Sequence, residues 1–477
     1  MATAEIRVLS KEEIELVHQK SLAILERTGI TVLSDVALDA LEAGGAIVDR
    51  KTMRARLPEH VVREVLRRVP KEARLCARNP RQDMPAPRKG HPWMATNGTA
   101  VYTRDIRTGE RRATLGKDLR DFMVLCDAMQ PLDYVWPIVT AHDAPGDWHA
   151  LHELAISLEN TTKHVQGEAM SAAEARAEIE VASAVVGGGR ELEKRPIFSV
   201  IQCPICPLEF EKGSVEAVME FARAGIPVVS MSMALCGLTS PVTLAGTIAI
   251  VNAENIASFA ISQMTRAGAP VIYSSESASP DMQTGEIHYG ALEEVLLSAT
   301  AGQMAAHYGV PSMVGGFGVG LHGESPGINI DPAELVFTSM TTATGTDYAS
   351  GIGGLDQAKG AALEQVVIDC DLWYAIREMR KEFALDEDKF VLDLIDKVGP
   401  GGTFLKEPHT ARNMRKELFL PDKAISETLA LYKLDRGQVD IVRKARERAE
   451  RVLKEHVPEP LPDDVRRDIA RILAAHS

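Results

Sequence analysis

From about residue 117 onward, short apolar runs alternate with long amphipathic stretches. No other feature of the chain restricts its fold as strongly. The runs are YVWPIVT, KHVQGEA, PIFSVIQCP, PVVSMSM, PVIYSSES, PSMVGGFG and DYASGIGG, each flanked by a stretch with helical spacing. Strands that alternate with helices at this pitch pair in parallel through right-handed crossovers. Seven strands are counted this way, and an eighth is ambiguous. Ser, Gly, Gln or Glu follows at the C-terminal end of the apolar runs, where a barrel places its reactive groups, which favours a barrel over an open doubly wound sheet. The expected fold is therefore α/β, a (β/α)8 TIM-type barrel over residues 86–420. Added helical segments are expected on both sides of it, an N-terminal helical layer at 1–85 and a C-terminal helical extension at 421–477.

The flanking segments carry local signals of their own. Ser10-Lys-Glu-Glu13 is a capping-box pattern that opens the helix IELVHQKSLAILERTG, which a Gly stops. PWMATNGTAVYTRDIRTGERRAT combines β-branched and aromatic residues with Asn-Gly and Thr-Gly turn signals, as a hairpin would. The last helices are charged and amphipathic, and their charges read as a solvated face.

Composition narrows the function. The 477 residues have a formal net charge of −14, which argues against binding a phosphate backbone. The most apolar stretch, VTLAGTIAIVNAENIASFAIS, is broken by Asn and Glu before the roughly 18 uninterrupted apolar residues of a membrane span. No secretory pattern opens the sequence, and the six scattered cysteines suit a reducing compartment, so a cytoplasmic location is expected.

Two motifs invite readings that their context weakens. Gly318-Val-Gly320-Leu-His-Gly323 matches a dinucleotide fingerprint, but Pro and Gly stand where the phosphate-binding helix should begin, so it reads as a loop at the barrel mouth. Cys203-Pro-Ile-Cys206, with Cys236 after the next strand, has thiols that could meet on zinc. A structural thiol pair is the simpler reading, and no metal site is assigned. Glu168, Gln166, Gln202 and Glu276 fall at predicted strand ends, where polar residues either do chemistry or satisfy loop backbone. Tyr102, Tyr134, Trp136 and Phe317 lie near the same face and would suit a cation–π cage, with core packing as the alternative for each.

Three further stretches together resemble one family. NGTAVYTRDIRTGERRATLGKDLRDFMVLCDAM, DYASGIGGLDQAKGAALEQVVIDCDLW and GPGGTFLKEPHTARNMRKELFLP are similar to the Gly-rich hairpin, the late barrel strand and the His-Thr motif of the trimethylamine methyltransferase family. The resemblance spans about residues 7 to 455. It implies a barrel methyltransferase of the one-carbon chemistry of methanogenesis. Its substrate would be a small methylated amine and its acceptor the cob(I)alamin of a separate small corrinoid-binding protein, with no cofactor tightly bound to the chain itself. The archetypal trimethylamine enzymes carry pyrrolysine in the barrel, whereas this chain runs through ordinary residues from 345 to 360, with Asp356 and Gln357 after Gly353-Gly354.

The chemistry fits that difference. A quaternary ammonium leaves as a neutral tertiary amine and needs no proton, so orientation, desolvation and an aromatic or acidic lining suffice. The expected activity is thus demethylation of a quaternary amine of the glycine betaine type. The expected catalytic polar groups are Glu168, Gln202 and Glu276. Asn97, Tyr102, Trp136, Gln166, Phe317, His322 and His409 are expected to contact substrate, and Arg412 is a further donor for a betaine carboxylate. A zinc-dependent methyltransferase and a non-catalytic betaine-binding barrel stand as alternatives, and a symmetric homo-oligomer is expected.

Overall fold

The computed structural model describes residues 5–88, 90–378, 385–429 and 440–476. Its centre is a closed barrel of eight strands: β1 (Trp93–Thr96), β2 (Tyr134–Val135), β3 (His164–Gly167), β4 (Phe198–Gln202), β5 (Val228–Ser232), β6 (Val271–Ser275), β7 (Ser312–Gly316) and β8 (Tyr348–Ile352). Neighbours pair in parallel in chain order, and β8 closes onto β1 through Tyr348↔Trp93 and Ala349↔Met94. Every residue of β4, β5 and β6 is buried. Strands covered on both faces need near-continuous apolar runs, and such runs made them visible in the sequence.

The eighth strand is Trp93–Thr96, inside the stretch expected to form only a hairpin. The hairpin itself does form just after it, Tyr102–Arg104 against Arg111–Ala113. Together with Gly354–Leu355 and Gly360–Ala361 it makes a four-stranded sheet.

Inside the barrel, Ala95, Tyr134, Ile201, Val229, Met231, Ile272, Met313 and Tyr348 pack together. The antiparallel pair Ala73–Leu75 and Met84–Ala86 joins this cluster and closes the end where the strands begin. There the Tyr348 hydroxyl donates to the Met84 carbonyl at 2.9 Å. The opposite end stays free for chemistry.

The N-terminal segment is more than the helical layer expected. It contains the helices Lys11–Arg27, Asp35–Ala43 and Glu59–Arg68, the first with the capping box formed as its sequence predicts. It also contains short strands Ile30–Val32, Ile47–Asp49 and Arg54–Arg56, which join Glu209–Phe210 from beyond β4 in one sheet. Three-residue strands leave almost no periodicity to read. Of the C-terminal segment, 430–439 lies outside the described residues. Helix Ile441–Glu455 docks on helix Leu363–Glu378 through the buried pair Arg448–Asp371 at 3.0 Å.

Helix Leu244–Thr265 is long and apolar enough to cross a membrane by composition, yet most of it is buried in this fold. Several of its buried polar residues have partners inside the protein. Glu254 accepts from the Leu208 backbone N–H at 2.8 Å and the Ser232 hydroxyl at 2.5 Å, and Asn255 bridges to Ser274 of β6.

Candidate active site at the barrel mouth

In a strand, residues two apart share a face. Tyr134, Ile201 and Met231 face the barrel interior. The register Gln166↔Ser199 and Met231↔Ser274 sets the same face on β3 and β6. One step further along each strand, Trp136, Glu168, Cys203, Met233 and Glu276 therefore face the mouth. Trp136 and Met233 pack on the interior cluster from above.

The electrostatics of these side chains follow from this placement. Cys203 is exposed, yet it sits in a walled crater: burial pushes its thiol up to about 12, with Glu168, Glu276 and Glu254 adding to the effect. Burial likewise raises the carboxyl of Glu168, with Glu174 adding and His149 opposing. Burial also raises Glu276, against a hydrogen bond at 2.9 Å from the Ser350 hydroxyl. Burial raises the phenol of Tyr289, with Glu276, Glu294 and Cys203 adding to the effect. Two carboxyls short of solvation surround an opening lined by indole, phenol, thiol and thioether. Such a site favours a cation, whose arrival stabilises both carboxylates.

In this ring and one step below Glu168, the structure leaves two donor groups without partners. The indole Nε1 of Trp136 is buried and makes no hydrogen bond, and neither does either amide atom of Gln166, which is 0% exposed. Strands β2 and β3 pair through His164↔Tyr134 and Val165↔Val135, so Trp136 and Gln166 stand level on adjacent strands. Buried polar groups are nearly always bonded, because an unpaired one costs about 1–3 kcal/mol. A neighbouring pair of them offers hydrogen-bond donors that a polar ligand group could satisfy.

Several expected site residues lie elsewhere. Gln202 faces out of the barrel, where its Oε1 accepts from Ser258 of helix Leu244–Thr265 at 3.1 Å. Phe317 is buried, with its ring centroid 6.2 Å from that of Trp373 on helix Leu363–Glu378. A register shift after Met313 turns its side chain into the layer outside the barrel. Tyr102 donates to Asp356 at 3.0 Å, and the Arg111 guanidinium already covers its ring at 3.8 Å, so it offers no face to a substrate. His409 and Arg412 lie on helix Pro408–Glu417, none of whose residues is buried. Asn97 does end β1 at the mouth, its N–H bonded to Ile352. His322 sits on the rim, its Nε2 2.7 Å from the Tyr289 carbonyl.

Met233, Tyr289 and Ser350 join these groups although the sequence reading passed over them, and so does Cys203, which was expected in a structural thiol pair. For Cys203 and Met233 the signal was present as the i+2 step from an inward apolar residue. The other two depend on how loops fold over the barrel. The thiols do not converge: Cys206 donates to Glu254 at 3.0 Å and Cys236 lies 3.4 Å from Thr247. Among the described residues, no cysteine belongs to a group able to hold a metal. The glycine motif at 318–323 is a loop, as its context indicated; the next helix starts only at Pro332.

The family model for trimethylamine methyltransferase (MTTB) matches residues 2–476. The chain belongs to the trimethylamine methyltransferase family. Within it, the chain is 30% identical to trimethylamine methyltransferase MttB of Desulfitobacterium hafniense strain DCB-2, over 96% of this chain and 91% of that protein. It is 29% identical to the glycine betaine methyltransferase of D. hafniense strain Y51, over 96% and 94%. It is also 29% identical to trimethylamine methyltransferase MttB of Methanosarcina barkeri, over 98% and 95%. The crystal structure of the M. barkeri monomethylamine methyltransferase (MtmB) shares the fold, with a TM-score of 0.50 at 12% identity over 93% of this chain and 92% of that one. The family member described here is accordingly a methyltransferase with a TIM-type barrel.

Proposed function

We propose that this enzyme demethylates a quaternary ammonium carboxylate of the glycine betaine type and passes the methyl group to the cob(I)alamin of a separate small corrinoid protein. The observation that carries this reading is the level pair of unpartnered groups, Trp136 Nε1 and the Gln166 amide, beneath the carboxyls of Glu168 and Glu276. A betaine matches both levels at once. Its carboxylate takes the indole N–H and the amide NH2 as donors, and its ammonium lies against the indole face and the two carboxylates. One N-methyl group then points out of the mouth.

The corrinoid supplies the electron pair that forms the new bond to the methyl carbon. The pair of the broken C–N bond stays on nitrogen, so the amine leaves neutral and no general acid is needed. The work of this chain is to hold the reacting carbon in line and to exclude water around it. Glu168 and Glu276 stabilise the cation until the bond breaks, and the loss of that charge then favours release of the product.

The rim suits a protein partner. Met170, Ile205, Leu238, Val242 and Met282 follow β3, β4, β5 and β6, and all are more than half exposed. Val242 and Met282 converge over Gly237. Exposed apolar side chains around a mouth that must deliver a methyl group to a large cofactor mark the docking face of the corrinoid protein. Leu385, Phe390, Leu392, Leu405 and Leu418 are exposed along 385–420, in a segment whose helices bury no residue. They supply the apolar surface of a homo-oligomer.

The deciding experiment offers the purified chain reduced cobalamin with glycine betaine, proline betaine, carnitine or trimethylamine and follows the visible spectrum. Methylcobalamin is expected with a betaine. Methylation from trimethylamine alone overturns the substrate assignment. Betaine binding without transfer leaves a non-catalytic barrel.

A further inference from the structure

Beside the mouth, three elements bring metal-ligating side chains together. His288 ends the short hairpin Ser279–Pro280/Ile287–His288 after β6, His322 lies in the loop after β7, and Glu334 opens helix Pro332–Thr341. One donor atom from each lies within 4.8 Å of the other two, and theirs is the one such group among the described residues. We propose that His288, His322 and Glu334 form a binding site for a divalent transition ion of the zinc type that clamps the β6 and β7 loops together.

Two imidazoles and a carboxylate are a donor set that zinc accepts, with bonds of about 2.0–2.2 Å. Tetrahedral bonds of that length put neighbouring ligand atoms about 3.4 Å apart. The observed separations fall on either side of that value: His288 Nε2 to Glu334 Oε1 is 2.7 Å and His322 Nε2 to Glu334 Oε2 is 3.9 Å. Small side-chain rotations equalise them. The two rings are mutually perpendicular with centroids 5.5 Å apart, so their nitrogen lone pairs can converge without the rings stacking.

The carboxylate is held by its own helix. Glu334 Oε2 accepts the Asp331 backbone N–H at 2.7 Å, which fixes its rotamer through the capping box of its helix. Solvent reaches the site through His288, whose side chain is 49% exposed, and water takes the remaining position. Because the ligands span 46 residues of sequence, no short spacing announces them.

The site has a link to the crater. His322 Nε2 now bonds the carbonyl of Tyr289, and coordination through that nitrogen exchanges this bond for one to the metal. Tyr289 follows His288 directly and its carbonyl is the present partner of His322, so the ion sets the backbone position of this loop without taking part in methyl transfer.

The test titrates the chelator-stripped full-length chain with Zn2+ by isothermal calorimetry, with no amine or corrinoid present. One ion per chain is expected. Glu334→Gln, which keeps an oxygen for the Asp331 N–H, and His322→Ala are each expected to weaken binding at least about a hundred-fold, beyond the effect of losing a group that only orients a ligand. Cys203→Ser and Cys206→Ser are expected to leave it unchanged. Zn2+ affinity that survives both ligand substitutions, that disappears in a cysteine variant, or that is no tighter than about millimolar in the unaltered chain overturns the assignment.

Discussion

Gln166→Met separates the receptor reading from ordinary core packing, because the two readings predict opposite signs. In the ligand-free chain both amide atoms of Gln166 are buried without partners, and each such group costs about 1–3 kcal/mol. Methionine has similar length and no polar atom to strand. The substitution should therefore stabilise the free protein by on the order of 2 kcal/mol. Substrate binding should move the other way. A hydrogen bond to a carboxylate is worth about 1.5–3 kcal/mol, so the Kd for glycine betaine should rise roughly 10- to 150-fold. Thermal unfolding of the ligand-free chain reads the first effect and calorimetric titration with betaine the second. Thermal protection by saturating betaine should shrink in step with the affinity. A lower unfolding midpoint in Gln166→Met, or a betaine Kd within about two-fold of the unaltered chain, would refute the reasoning. In that event the amide is a packing element and the carboxylate lies elsewhere.

The other predictions concern charge, pH and surface. Glu276→Gln keeps the Ser350 bond and removes the charge, so kcat/KM for the quaternary amine should fall roughly ten-fold or more, about 1.4 kcal/mol. In the unaltered enzyme a bound cation displaces the proton that burial keeps on Glu276; affinity should rise with pH through that raised titration and level off above it, and Glu276→Gln should flatten the rise in a pH series of Kd values. Glu294 is held up to about 7 by burial, against an ordinary value of 4.5, so the folded chain retains a proton that the unfolded chain loses. Stability should decline between pH 4.5 and 7 by about 3 kcal/mol from this group, and Glu294→Gln should remove that slope in unfolding titrations. Phe317→Ala should cost about 3–5 kcal/mol of stability through its lost contact with Trp373, with betaine KM unchanged in the fraction that stays folded; a raised KM would return Phe317 to the site. Met282→Asp should leave methylation of free cobalamin intact and raise KM for the corrinoid protein about ten-fold or more; equal effects on both acceptors would remove the rim as a docking face.

What the sequence determined by itself is the part that local physics writes. Seven barrel strands were legible because a strand buried on both faces must be a continuous apolar run, and the Ser10 capping box because its hydrogen bonds close within one turn. Glu168 and Glu276 were legible as polar ends of apolar runs. Only the tertiary structure decided what depends on closure. Trp93–Thr96 becomes a barrel strand because β8 and β2 need a partner on either side, a requirement set by residues about 40 and 250 positions away, at Tyr134 and Tyr348. Closure also fixes the register, and a shift of one residue exchanges the inner and outer faces. For that reason Gln202 and Phe317 turn outward to Ser258 and Trp373, while Cys203 and Trp136, one step along their strands, line the mouth. The unpartnered state of Trp136 and Gln166 is likewise a property of the closed barrel. Each residue alone is unremarkable; level on adjacent strands, they form the carboxylate receptor proposed above.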